Sequence, residues 1–251
     1  ILLFASLFMI TGCSPFGGDK EVRKSLADGL TPKALYEIAQ DKVNAGSLDQ
    51  AIKQYEIILV TYPGSKYAIQ ARLDIAYNLF KRQKYESAII ALNSFILKYP
   101  SIPSTPYAYY LKGVVAEEKS SSLFDNLITD SAQRDVLSIQ NAYKYYLDLI
   151  TKFPDSKYSK EAEKKLVKLV NTLARHEFYV ALYYTRIKSN IAAINRTKYI
   201  IENFPSSQSI PDALNLMAFN YDVIKAKKLA SDTRKILSSN YPNYSPNYSI
   251  D

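Results

Sequence analysis

The sequence predicts an all-α protein, a superhelical array of about five helix–turn–helix repeats. Aromatic-proline pairs recur at Tyr62-Pro63, Tyr99-Pro100, Phe153-Pro154, Phe204-Pro205 and Tyr241-Pro242. An alanine stands twelve residues before each of these prolines: Ala51, Ala88, Ala142, Ala193 and Ala230. A second small residue, Ala39, Ala76, Ala181 or Ala218, stands twelve before four of those alanines, and Gly113 is its counterpart in the third unit. Helices cross closely only where small side chains meet. Proline cannot continue a helix and biases the residue before it away from helix. Each unit thus keeps one small residue per helix and an aromatic-proline stop. With only 7 Gly and little strand-like alternation, the composition agrees.

The first two units repeat every 37 residues (63 to 100, 51 to 88). The third carries about seventeen extra residues between Gly113 and Ala142, and about fourteen more separate Pro154 from Ala181. A helical unit of this length resembles the tetratricopeptide repeat, of roughly 34 residues.

Residues 1–12 read as a secretory signal peptide without its basic n-region, because the first ten are apolar and uncharged. Ile10-Thr11-Gly12-Cys13 then resembles the bacterial lipobox. Small residues before the cysteine admit the peptidase, and the thiol takes the diacylglyceryl group. Residues 13–30 are therefore expected to be a lipidated (palmitate-bearing) Cys13 and a flexible tether, in which Pro15, Gly17, Gly18 and Gly29 stand among mixed charges. Several acyl chains on one residue give a stable anchor. Ser14, rather than Asp, after the cysteine favours the outer membrane in a bacterium with two membranes.

Thr31-Pro32 supplies an N-cap and a first-turn proline, and Gly46 ends the helix. Ser47 with Gln50 has capping-box spacing for the second helix. Leu35, Ile38 and Ala39, then Ile52, Tyr55, Ile58 and Leu59, form the apolar stripes. Leu73, Ala76, Tyr77 and Phe80 face inward in the second unit, and Thr105-Pro106 caps the third. The first insertion, about residues 120–137, holds Asp125, Asp130, Arg134 and Asp135. Its oxygens are too sparse for a calcium loop, so Asp–Arg pairing is favoured there. Tyr158 to about Lys188 has no Pro or Gly and reads as one long helix. The tail, 242–251, repeats Pro-Asn-Tyr-Ser twice and is expected to be disordered.

No constellation in the chain carries a reaction. The single histidine, His176, has no nucleophile motif beside it, and Cys13 is the only cysteine. HExxH, CxxC and Gly-rich phosphate loops are absent, and no metal or cofactor is called for. The net charge of +8 attracts anionic partners without choosing among them. Nucleic acid is disfavoured because the chain is read as exported. A binding scaffold follows.

Lipobox, tether and five helical repeats together resemble the BamD family, lipoproteins of the outer-membrane β-barrel assembly machinery. The resemblance rests on Tyr36-x-x-Ala39-Gln40-x-Lys42, Tyr62-Pro63, Leu73-Asp74-x-x-Tyr77 and Tyr109-Tyr110-x-x-Gly113. It continues in Asp130 with Arg134-Asp135, Glu177-x-x-Val180-Ala181-x-Tyr183-Tyr184 and Asn195-Arg196, and in the places of both insertions. The family's usual His-Pro-Asn-like turn after Pro100 is here Ile102-Pro103-Ser104. The resemblance implies that repeats 1–3 (31–154) form a pocket for the aromatic, carboxylate-ended targeting segment of unfolded outer-membrane proteins. Tyr36, Tyr62, Tyr67, Tyr77, Tyr109 and Tyr110 are its candidate residues. Repeats 4–5 (155–241) would hold the periplasmic domains of the barrel-forming subunit through Arg196 and Asn195. Accessory lipoproteins of the same complex would be further partners, on the periplasmic face of the outer membrane. The alternative is a periplasmic repeat scaffold for cell-wall, division or pilus assembly proteins.

Overall fold

The computed structural model describes residues 29–122 and 136–250. Cys13, the signal segment and the insertion residues Asp125, Asp130, Arg134 and Asp135 lie outside them. The described residues contain ten helices and no strand. These are α1 (Pro32–Asn44), α2 (Leu48–Thr61), α3 (Lys66–Lys81), α4 (Tyr85–Lys98), α5 (Thr105–Ser122), α6 (Val136–Lys152), α7 (Lys157–Arg186), α8 (Asn190–Asn203), α9 (Ile210–Val223) and α10 (Lys227–Asn240). They fall into two compact units, one up to Ala91 and one from Leu92. No helix among them is long and apolar enough to cross a membrane.

The first unit packs α1 on α2, α2 on α3, and α1 on α3. Its core is Leu35, Ala39, Ala51, Tyr55, Ile57 and Ile58 with Ala68 and Ala71. In the second unit, consecutive helices pack from α5 to α10, and α5 on α7 and α7 on α9 also meet. The first helix of one pair thus touches the first helix of the next, the arrangement of a helical repeat array. All nine small residues of the alanine pattern are buried, none more than 1% exposed. Gly113 shows why the pattern exists. A Cβ added there would lie 2.3 Å from Cε1 and 2.6 Å from Cδ1 of Tyr146, a fully buried ring.

The aromatic-proline stops are conformationally alike. Tyr62, Phe204 and Tyr241 have φ/ψ of −131/56, −130/52 and −135/64. Each donates its N–H to the carbonyl four residues back. The turn inside four of the pairs, the first, second, fourth and fifth, is also repeated: Gly46, Gln83, Lys188 and Lys225 have φ of 73, 58, 60 and 63. The residue after each donates to the carbonyl five before it, closing a Schellman motif.

That motif overturns one expected cap. Ser47 has φ −83 and ψ 60, outside the extended region an N-cap needs, and its side chain caps nothing. Its N–H is taken by Lys42, and its position is dictated by the turn. Thr31, Ser65 and Ser156 follow extended linkers, with ψ of 156, 152 and 140, and their hydroxyls accept from Ala34, Ala68 and Tyr158 N–H. Thr105 is different again: its hydroxyl donates 2.5 Å to the Tyr99 carbonyl.

The second insertion is absorbed in α7, a helix of 30 residues. The tail departs from the disorder expected of its composition. Tyr244, Tyr248 and Ile250 pack against the core of α7, α8, α9 and α10. Two tyrosine hydroxyls find partners on α9, and that long-range pairing outweighs the local bias of a Pro/Asn/Ser-rich segment.

Candidate functional site

In the first unit, helical spacing builds a polar and aromatic cluster. Tyr36 and Gln40 lie one turn apart on α1, and Gln70 and Asp74 one turn apart on α3. The Tyr36 hydroxyl donates 2.6 Å to Asp74 Oδ2, and Gln70 Nε2 donates 3.1 Å to Oδ1. Gln40 Nε2 donates to Tyr36 Oη at 3.1 Å and to Tyr55 Oη at 2.6 Å. The Tyr36 ring tilts against Tyr55 and Tyr67, with centroids 5.6 and 5.5 Å away. The Lys66 ammonium sits 5.4 Å from the Tyr67 ring centre.

Burial sets the electrostatics. It raises the Asp74 carboxyl above the usual carboxylate range, against the opposing pull of the bonds from Tyr36 and Gln70. It also raises the Tyr36 phenol, with Asp74 adding to the effect. Tyr36 is thereby held as a neutral donor, its ring half-exposed. Such a surface can stack an aromatic side chain, and its amides can bond an extended backbone. A carboxylate would be favoured beside Lys66 and repelled by Asp74.

The six candidate tyrosines do not share one role. Tyr36 and Tyr67 meet in this cluster. Tyr62 packs nearby, but its hydroxyl is committed to the Leu30 carbonyl at 2.7 Å. Tyr77 is 39% exposed and tilts against Phe80. In the second unit Tyr109 is buried against Phe153, and its hydroxyl accepts from Lys152 Nζ at 2.9 Å. It is core, with no face left for a peptide. Tyr110 stacks on Tyr158 with centroids 5.5 Å apart. Beneath it Tyr146 donates to Glu117 at 3.1 Å, and Lys165 pairs with the same carboxylate at 3.1 Å. Gln40, Tyr55 and Asp74 join the cluster without being among the candidate residues. The i,i+4 pairing of Tyr36 with Gln40 and of Gln70 with Asp74 was the available signal.

Arg196 and Asn195 lie exposed on α8. Arg196 Nη1 donates 3.0 Å to Glu177 Oε2 of α7, and that carboxylate is only 15% exposed. The arginine therefore already has an anion, and an incoming acidic residue would share or displace it. His176 is half-buried on α7. Among the described residues no cluster of His, Cys, Asp and Glu has the makings of a metal site.

The model of the YfiO family, described as outer membrane lipoprotein, matches residues 28–237. The outer membrane protein assembly factor BamD of Neisseria gonorrhoeae is 32% identical over 243 residues, covering 96% of this chain and 91% of that protein. The BamD proteins of Xylella fastidiosa (strain 9a5c) and Haemophilus influenzae are 29% and 28% identical. Those alignments cover 97% and 96% of this chain, and 82% and 89% of the relatives. With a family model spanning every described helix but the end of α10, and full-length relatives of one kind, the chain belongs to the YfiO family of outer membrane lipoproteins.

Proposed function

We propose that this chain is an outer membrane protein assembly factor, a non-enzymatic scaffold anchored through lipidated Cys13 on the periplasmic face. The observation that carries the proposal is its likeness to BamD assembly factors over almost its whole length. The first unit receives the aromatic, carboxylate-ended segment of an unfolded barrel protein. Tyr36 and Tyr67 stack the aromatic ring, the Gln40 carbonyl and the second N–H of Gln70 bond the backbone, and Lys66 takes the carboxylate. The second unit holds periplasmic domains of the barrel-forming subunit through Arg196 and Asn195, with accessory lipoproteins beside it.

Stacking of one aromatic pair contributes about 0.5–1.5 kcal/mol beyond its burial. Tyr67→Ala in the full chain should therefore weaken a fluorescent peptide ending in phenylalanine and a free carboxylate by about tenfold, roughly 1.4 kcal/mol. Amidating the peptide's end should weaken it as well. Equal affinity for wild type and variant would remove the cluster from substrate recognition. Arg196→Glu should weaken binding of the barrel subunit's periplasmic domains by roughly 2–5 kcal/mol if the charge pair is desolvated. Unchanged affinity would take Arg196 out of that interface.

A further inference from the structure

A cleft of about 820 Å³ opens in the second unit between α7, α9 and the C-terminal segment. Lys168, Arg175 and Arg186 of α7 line it, Arg175 donating 3.0 Å to the Tyr179 hydroxyl, and Asp212 of α9 is the one acidic residue among its described walls. The C-terminal segment, without helix or strand, forms its remaining wall through Asn247, Tyr248 and Ser249. Tyr244 donates 2.6 Å to Asp212 Oδ1, which occupies one oxygen of that carboxylate. Tyr248 meets Phe178 edge-on, with centroids 4.9 Å apart, and its hydroxyl accepts from Asn215 at 2.9 Å. Arg186 donates 2.8 Å to the Ser249 carbonyl.

The contacts join packed side-chain anchors to single polar groups of α7 and α9, as those of a bound peptide do. Pro242 and Pro246 bias the residues before them toward extended backbone. Two tyrosines four residues apart pack against the apolar core beside the cleft, and one backbone carbonyl meets a guanidinium. Side-chain anchors spaced along an extended chain are how short segments are read by helical grooves. We propose that the face of α7 and α9 beside this cleft is a second peptide-binding site, occupied in the resting chain by its own residues 242–250. In their place it takes an extended, acidic partner segment carrying two tyrosines four residues apart. Lys168 and Arg186 beside that bonded carboxylate set the preference for acidic segments. The site is separate from the Tyr36 cluster and stands whether or not that cluster binds substrate.

The test uses a fluorescein-labelled peptide with the sequence of residues 242–251, read by anisotropy. It is titrated into the full chain and into a chain ending at Tyr241. The truncated chain should bind at least tenfold more tightly, because the resident segment no longer competes. Raising the salt to 500 mM and substituting Arg186→Ala should each weaken that binding severalfold. A peptide with alanine at both tyrosines should not bind. If truncation lowers the helical circular dichroism, the same comparison is made with full-length Tyr244→Ala/Tyr248→Ala, whose anchors are gone. Equal binding to the open and closed chains, or undiminished binding of the alanine peptide, would overturn the proposal.

Discussion

Gly113→Ala puts one methyl group where the repeat pattern demands none. The new carbon would stand 2.3 Å from one Tyr146 ring atom and 2.6 Å from two others. Carbon atoms in contact sit about 3.5–4.0 Å apart, so ring or helix must shift by more than an ångström. Tyr146 has no solvent to move into, being fully buried among Ile139, Ala142, Leu149 and Ala162. Overpacking of this kind costs about 1–3 kcal/mol. A ring shift also breaks its bond to the Glu117 carboxylate, worth about 1.5–3 kcal/mol. Against this, alanine is better than glycine in a helix by about 0.5–1 kcal/mol. The net is a loss of about 2–4 kcal/mol, read as a lower urea midpoint for the second unit's helical signal. A double-mutant cycle isolates the clash. In a Tyr146→Ala background, Gly113→Ala should be neutral or stabilising, since only the helix preference remains. A stabilised single variant would refute the packing explanation of the small-residue pattern.

The other predictions concern turns, caps and one buried carboxylate. Gln83→Gly, Lys188→Gly and Lys225→Gly should each raise stability by roughly 0.5–1 kcal/mol in urea melts, because each native residue holds a left-handed φ that glycine adopts without strain. Gly46→Ala should lower it by about 1 kcal/mol, from the same cause with the opposite sign. Thr31→Ala, Ser65→Ala and Ser156→Ala should each cost about 1 kcal/mol, whereas Ser47→Ala should change the midpoint little, since only the first three side chains cap a helix. Asp74 has a folded-state pKa raised above its unfolded value, so its charged form burdens the folded unit. Stability from this group is therefore present at low pH and is lost as pH rises through the folded value. The urea midpoint of wild type relative to Asp74→Asn should climb between pH 7 and pH 4.5, and a flat difference would contradict the buried assignment.

The repeat frame was legible because it is written in steric requirements that are local in sequence. Small residues mark helix crossings, and aromatic-proline pairs mark stops whose backbone angles at Tyr62, Phe204 and Tyr241 agree within 5° in φ and 12° in ψ. Ser47 misled because a capping box is a side-chain spacing, whereas the Schellman turn before it fixed the backbone first. The tail misled because its order comes from Asp212, Asn215 and Arg186, which lie some thirty to sixty positions away and leave no trace in a composition of Pro, Asn, Ser and Tyr. Among the candidate tyrosines, sequence gave the residue type but not the burial. Tyr109 and Tyr110 are neighbours in the chain, yet one is core and the other half-exposed on Tyr158. Asp74 belongs with Tyr36 through a bond across 38 positions, which only the α1–α3 contact creates.

Depletion of this protein in the bacterium that makes it, followed by quantification of folded barrel proteins in the outer membrane, is the most direct measurement. An assembly factor predicts that heat-modifiable, folded barrels fall sharply while their unfolded forms accumulate in the periplasm, and that a chain carrying Cys13→Ala fails to restore them. Normal barrel levels after depletion, with defects confined to the cell wall or to pili, would contradict it and leave the repeat fold in the service of a different envelope scaffold.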